Sequence, residues 1–217
     1  MKYTHIFWDF NGTVYNDINE GIDTINELLV RYGLKPIDSL KTYRELFSFP
    51  IKDYYRTLGF DFSKNDFSVI AEEWLKIYLE KTANTSYFPE IPSVLSKLKA
   101  LGASNIVFSA TEIGVLKGQI KKLGLCDDFD DVLGTNNVEG SGKTAVGIKY
   151  IESHAEGDKR DSFLLIGDTL HDADVAKSMG IDCLLVSIGH QSYEKLLSAG
   201  VPVVRSLEEI IPFFVDQ

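Results

Sequence analysis

The 217-residue chain carries a formal net charge of −10, with 44% apolar and 25% charged residues, a balance that suits a globular fold with one sizeable core, or a core plus a small accessory unit. The charge disfavours nucleic acid and anionic membranes as partners, and no apolar run approaches the roughly 18 residues of a membrane helix. With no leader-like N-terminus and only two cysteines, Cys126 and Cys183, in no paired spacing, a reducing, cytoplasmic setting is expected.

In chain order, residues 4–10 (THIFWDF) predict a buried strand with Asp9 at its end, and Asn11-Gly12-Thr13 is turn-like. From Asp17 the apolar residues Ile18, Ile22, Ile25, Leu28, Leu29 and Tyr32 recur at helical spacing. Asp17 and Glu20 have the spacing of a capping box, and Gly33 is a natural stop. Residues 39–82 continue in helical style, with Trp74, Leu75, Tyr78 and Leu79 forming an apolar stripe. No strand pattern is found between about 16 and 86. Beyond Pro89, helices near 92–101, 112–123 and 143–154 alternate with strands at 105–109, 130–133 and 162–166. A short helix ending at Gly180 leads to a strand at 183–187, and the last helices end at Gly200 and near Phe214. Helices alternating with apolar strands imply parallel pairing with right-handed crossovers and a sheet covered on both faces. The expected fold is α/β: a doubly wound (Rossmann-like) core from residues 1–15 and 87–217, with 16–86 inserted as a helical cap domain.

Open parallel sheets bind ligands beyond the carboxyl ends of their strands. Asp9 and Asn11 lie there after the first strand, Ser109-Ala110-Thr111 after the second, and Asp168 with Asp172 after the strand at 162–166. Asp168 or Asp172 alone would be read as a helix cap. Together with Asp9 they place three carboxylates on one edge, which repel one another unless a hard cation such as Mg²⁺ joins them. The Ser109 hydroxyl and the amides after it suit phosphate oxygens. Lys143, alone an ordinary surface lysine, would there neutralise a phosphoryl group and keep Asp9 ionised. Residues 140–144 (Gly-Ser-Gly-Lys-Thr) imitate a nucleotide P-loop, but the glycine required at 137 is Asn137. His5, His154, His171 and His190 show no metal spacing; His171 stands out only because it lies between Asp168 and Asp172.

The segments DFNGT at 9–13, IVFSAT at 106–111, Lys143 and GDTLHD at 167–172 resemble, in this order, the haloacid dehalogenase superfamily. The helical insertion resembles the cap of its phosphoglycolate phosphatase-like branch. The resemblance implies a magnesium-dependent phosphohydrolase acting on a small phosphorylated metabolite. Asp9 would be the nucleophile, forming an aspartyl-phosphate that water hydrolyses. Asp9, the Asn11 carbonyl, Asp168 and Asp172 would hold Mg²⁺. Gly12, Thr13, Ser109, Ala110, Thr111 and Lys143 would bind the phosphoryl group.

One residue departs from the pattern. Phosphatases of this superfamily read DxDGT, and the second aspartate serves as general acid and base; here it is Asn11. A carboxamide cannot do that work, which typically contributes ~10²–10⁴-fold, so Asn11→Asp is expected to raise turnover of an alkyl phosphate. Three explanations stand open: another group such as His171 or a cap residue substitutes, the leaving group needs no proton (an acyl phosphate or pyrophosphate), or the protein binds a phospholigand with little turnover. A carbon–phosphorus hydrolase using Lys52, Lys64 or Lys76 is a further alternative.

Overall fold

The alternation of side chains along the first strand organises the molecule. In β1 (His5–Trp8), Ile6 and Trp8 point to one face and Phe7 to the other, all fully buried. The computed structural model describes residues 2–136, 142–155 and 160–215. Asn137 and the first two residues of the P-loop-like run, 140 and 141, lie outside them.

Four helices follow β1: α1 (Ile18–Arg31), α2 (Leu40–Leu46), α3 (Ile51–Thr57) and α4 (Phe67–Lys81). Next come α5 (Ile91–Ala100), β2 (Ser104–Glu112), α6 (Ile113–Leu123), β3 (Asp131–Thr135) and α7 (Lys143–His154). The chain closes with β4 (Phe163–Gly167), α8 (Leu170–Met179), β5 (Asp182–Val186), the short α9 (Tyr193–Leu196), β6 (Val203–Val204) and α10 (Ile210–Val215). The six strands form one parallel sheet in the order β3-β2-β1-β4-β5-β6. β1 sits centrally, pairing His5 with Ser104 of β2 and with Phe163 of β4.

Each face has its own core. Ile6, Trp8, Val107, Leu164, Ile166, Leu184 and Val186 pack under α5, α6 and α10. Phe7, Ile106, Phe108, Phe163, Leu165, Cys183 and Leu185 pack under α7, α8 and α9. Burial of one such side chain contributes ~1.5–3 kcal/mol, and two-sided burial explains why these strands are continuously apolar. The doubly wound α/β fold is as the sequence implied.

Several local expectations change. The helical style of 39–82 is three helices, because Phe47-Ser48-Phe49-Pro50 and the 58–66 stretch interrupt it. β2 runs on through Ser109, Ala110 and Thr111 to Glu112, with a register shift against β3 between Phe108 and Glu112. The two-residue edge strand β6 had no periodicity long enough to announce it. Asp17 stands at the N-cap of α1 but makes no capping bond; its carboxylate is used elsewhere. In α4, the stripe of Trp74, Leu75, Tyr78 and Leu79 is divided: Tyr78 is buried and Trp74 packs against the helical cluster, while Leu75 and Leu79 are 41% and 47% exposed. The helices between β1 and β2 share a separate apolar cluster that includes Ile25, Leu28, Leu29, Tyr55 and Ile70. Among the described residues no helix is long and apolar enough to cross a membrane.

Candidate active site at the sheet rim

The carboxyl end of β1 fixes the first functional side chain. The Asp9 amide donates to the Ile166 carbonyl at 2.9 Å, extending the β1–β4 ladder by one residue and holding the Asp9 side chain at the rim. β4 ends at Gly167 and delivers Asp168, and the first turn of α8 delivers Asp172. One carboxylate oxygen from each of Asp9, Asp168 and Asp172 lies within 4.8 Å of the others. Asp172 also does the capping the sequence suggested: its Oδ2 accepts from the Thr169 amide and hydroxyl at 3.2 and 2.8 Å. Its Oδ1 remains turned to the site.

Lys143 enters this cluster from the first turn of α7. A helix N-terminus disfavours a cation, so the lysine is there for its neighbours. Its Nζ donates to Asp9 Oδ1 at 2.5 Å and Asp172 Oδ1 at 3.1 Å, above the Phe108 ring, and the side chain is buried. Burial, only partly offset by the Lys143 ammonium and reinforced by Asp172 and Asp168, pushes the Asp9 carboxyl up to about 8. Burial and the Asp172 charge likewise push Asp168 up to about 6, against the pull of His190. Burial opposes the Lys143 charge, yet Asp9 and Asp172 hold its ammonium well above the ordinary range. Three carboxylates thus share one cation, and the site carries surplus negative charge. An all-oxygen donor set of this kind fits a hard divalent ion.

Asp168 is held on its other sides. Thr13 Oγ1 donates to its Oδ1 at 3.1 Å and the His190 amide to its Oδ2 at 2.6 Å. The approach is close enough to require glycine twice: a Cβ on Gly12 or Gly189 would stand 2.4 or 2.0 Å from Asp168 Oδ2, and Gly12 has φ of +75°. On the β2 side, Ser109 Oγ accepts from the Thr111 amide and donates to the Thr111 hydroxyl, both at 3.1 Å.

Of the residues singled out from sequence, Asp9, Asn11, Ser109, Ala110, Thr111, Lys143, Asp168 and Asp172 line one cavity of about 410 Å³. Gly12 and Thr13 stand behind its wall, the first bonded through its amide to Asp17 Oδ1 at 2.9 Å. His171 also lines the cavity, stacked on Phe49 with ring centroids 4.6 Å apart. Lys52, Lys64 and Lys76 do not line it.

Sequence reasoning missed a second polar cluster beside the first. Asp17 is 2% exposed. Its Oδ2 accepts from Asn11 Nδ2 at 2.9 Å and from the Tyr78 hydroxyl at 2.6 Å, and its Oδ1 faces His190 Nε2 at 3.3 Å. Asn11 Nδ2 also donates to the Tyr78 oxygen at 2.7 Å, and His190 Nδ1 meets the Tyr43 hydroxyl at 2.9 Å. Burial works against the charge of His190, but Asp17 and Asp168 carry the imidazole up to about 9. Burial works equally against Asp17, and the His190 charge with the Tyr78 and Asn11 bonds holds it below the usual carboxylate range. The pair is therefore ionic. Its signal was available: His190 follows β5 at the same carboxyl edge as the three aspartates, and the rim rule extends to it.

Comparison with known proteins identifies relatives of the chain and of its fold. The family profile described as haloacid dehalogenase-like hydrolase matches residues 6–186. Phosphoglycolate phosphatases of Caulobacter vibrioides and Neisseria gonorrhoeae are each 22% identical, over 193 and 188 residues; the matches cover 85% and 84% of this chain and 79% and 78% of theirs. A haloacid dehalogenase-like hydrolase from Streptococcus pneumoniae superposes with a TM-score of 0.82 at 20% identity, covering 98% of this chain and 99% of that one. With β1, the rim aspartates and Lys143 all inside or beside the matched span, the chain belongs to the haloacid dehalogenase-like hydrolase family.

Proposed function

We propose that the protein is a magnesium-dependent phosphohydrolase acting on a small phosphorylated metabolite, with Asp9 as nucleophile. The observation that carries this reading is the Lys143 ammonium set between Asp9 and Asp172, with Asp168 in the same cluster. Asp9, Asp168, Asp172 and the Asn11 backbone carbonyl would hold Mg²⁺, which when bound supplies Lewis-acid neutralisation of phosphoryl oxygens. Lys143, the Ser109 and Thr111 hydroxyls and the amides of Ala110 and Thr111 bind the remaining oxygens. An Asp9 carboxylate oxygen attacks phosphorus, the ester oxygen departs with its electron pair, and water then cleaves the aspartyl-phosphate. The helices α1–α4 act as a cap that covers the reacting centre and excludes water, so residues 16–86 form the cap and the rest the core.

Asn11 gives no proton in this scheme. Its amide is spent on Asp17 and Tyr78, joining the turn after β1 to α1 and α4. That bond favours a second reading, a phospholigand-binding protein with little turnover, in which cap closure rather than hydrolysis is the output. The two part on one experiment. Hydrolysis of acetyl phosphate, whose leaving group needs no proton, is measured with Mg²⁺ for the wild type and Asp9→Asn. Turnover by the wild type that EDTA and Asp9→Asn both abolish is expected. Tight phosphate binding with no turnover by the wild type would favour the binding protein.

A further inference from the structure

The cavity that holds the carboxylate cluster continues beneath the helical segment, and its chemistry there is unlike its floor. Phe47, Phe49, Tyr54, Trp74, Leu75 and Leu79 are among its walls. The exposed half of the α4 stripe, Leu75 and Leu79, thus turns an apolar surface to the cavity. Several of the exposed large apolar side chains of the molecule, Phe49, Leu75, Leu79 and Val115, gather at this one cavity, and apolar concavities of this kind mark ligand sites. Among the described residues the cavity wall has no arginine and no lysine other than Lys143. Lys143 is committed to Asp9 and Asp172, His190 to Asp17 and Tyr43. Glu112 adds a negative charge to the wall. Apart from His171, whose ring is stacked on Phe49, a second anionic group on the substrate, such as the carboxylate of phosphoglycolate, would find no uncommitted basic side chain on this wall. Among the described residues, two cavity-lining side chains have a buried polar atom without a hydrogen-bond partner, the Tyr54 hydroxyl and Gln119 Oε1.

The second line is kinetic and independent of the walls. With Asn11 in place of a carboxylic acid, and its amide already engaged, position 11 has no proton to give to the departing ester oxygen. A proton donor makes a phosphatase tolerant of poor leaving groups; without one, rate follows the acidity of the alcohol released. A phenol ionises near pH 10, whereas an alkanol is about as weak an acid as water.

Resting on the phosphohydrolase reading above, we infer that the substrate is a small phosphomonoester of an uncharged aromatic alcohol, and not a phosphorylated carboxylic acid. The net reaction is Ar–O–PO₃²⁻ + H₂O → ArOH + HPO₄²⁻. The P–O(aryl) bond breaks as Asp9 bonds to phosphorus, the phenoxide leaves with the electron pair and is protonated by solvent, and water then splits the P–O(Asp9) bond.

The test is a set of steady-state measurements with Mg²⁺ on 2-naphthyl phosphate, hexyl phosphate, acetyl phosphate and phosphoglycolate. The apolar wall is read in KM: naphthyl and hexyl phosphate should each lie at least about tenfold below phosphoglycolate. The missing proton donor is read in kcat: naphthyl should exceed hexyl phosphate by about 100-fold or more. Trp74→Ala should raise KM for naphthyl phosphate about tenfold with kcat little changed. Should that variant not fold, Leu75→Arg, at an exposed position of the cavity mouth, should lower KM for phosphoglycolate and raise it for naphthyl phosphate. Turnover of acetyl phosphate with phosphoglycolate bound as well as, or better than, the apolar esters would overturn the inference while leaving the hydrolase reading intact. Equal kcat for naphthyl and hexyl phosphate would also overturn it. No turnover of any of the four would overturn both.

Discussion

Asn11 and Asp17 are six residues apart and share a hydrogen bond, Nδ2 to Oδ2 at 2.9 Å. A carboxylate introduced at position 11 would face the buried Asp17 carboxylate at that distance, and like charges there destabilise both. Asn11→Asp alone is therefore expected to lower the unfolding free energy by about 1–3 kcal/mol, and to raise alkyl phosphate turnover less than the sequence suggests. The exchange Asn11→Asp/Asp17→Asn restores a donor–acceptor pair with the groups reversed. Because Asp17→Asn also takes the counter-charge from His190, the exchange should recover part of the stability in urea unfolding, and it should raise hexyl phosphate kcat above that of either single variant. A double variant no more stable than Asn11→Asp would break the argument. Asp9, Asp168, Asp172 and Lys143 were legible in sequence because each lies just past a strand or opens a helix. Asp17 was not, because the same Asp-x-x-Glu spacing that reads as a capping box is satisfied here by side chains from residues 11, 78 and 190, which no local pattern connects.

The elements themselves were readable wherever burial imposes a period. β1, β4 and β5 are apolar on both faces, and α1 keeps its stripe of Ile18, Ile25, Leu28 and Leu29. The α4 stripe could not be divided from sequence, because an apolar face turned to a cavity has the same spacing as one turned to a core. Nor could sequence show how α2 is fastened to the loop after β5. Arg44 Nε and one terminal nitrogen donate to the Gly189 and Ile188 carbonyls at 2.8 and 2.5 Å. Gln191 Nε2 and Lys195 Nζ donate to the Phe47 carbonyl at 3.0 and 2.7 Å. These bonds join the end of α2 to the same loop that presents His190 to Asp168. Arg44→Ala removes two charge-assisted bonds worth ~1.5–3 kcal/mol each at most. It is expected to accelerate amide exchange in α2 and in residues 187–191 at least tenfold while leaving that in β1 and β4 unchanged. Equal acceleration in β1 would mean that the helices and the sheet open as one unit.

At the scale of the whole molecule, the charge cluster sets how stability depends on pH. Asp9 and Asp168 have folded values of about 8 and about 6 against 3.8 for the free side chain. The folded state thus retains protons that the unfolded state has lost, so stability falls as pH rises through that window. His190, about 9 against 6.5, adds stability that is complete below 6.5 and lost as pH climbs through 9. Asp17, held low, acts in the opposite sense but only at pH below 3.8. The metal-free protein is therefore expected to have a lower Tm at pH 9 than at pH 6. Added Mg²⁺ should raise Tm more at pH 8 than at pH 6, because ligation needs ionised carboxylates. A Tm that rises from pH 6 to 9 without metal would contradict the surplus of negative charge at the rim. The placement of β1 has a consequence for biosynthesis. β1 is made before both strands that flank it in the sheet, which begin at Ser104 and Phe163. At ~5–20 residues per second of translation, the apolar Ile6, Phe7 and Trp8 precede their strand partners by at least ~5–20 s, so the segment that presents Asp9 at the rim is made well before anything in the sheet can cover it.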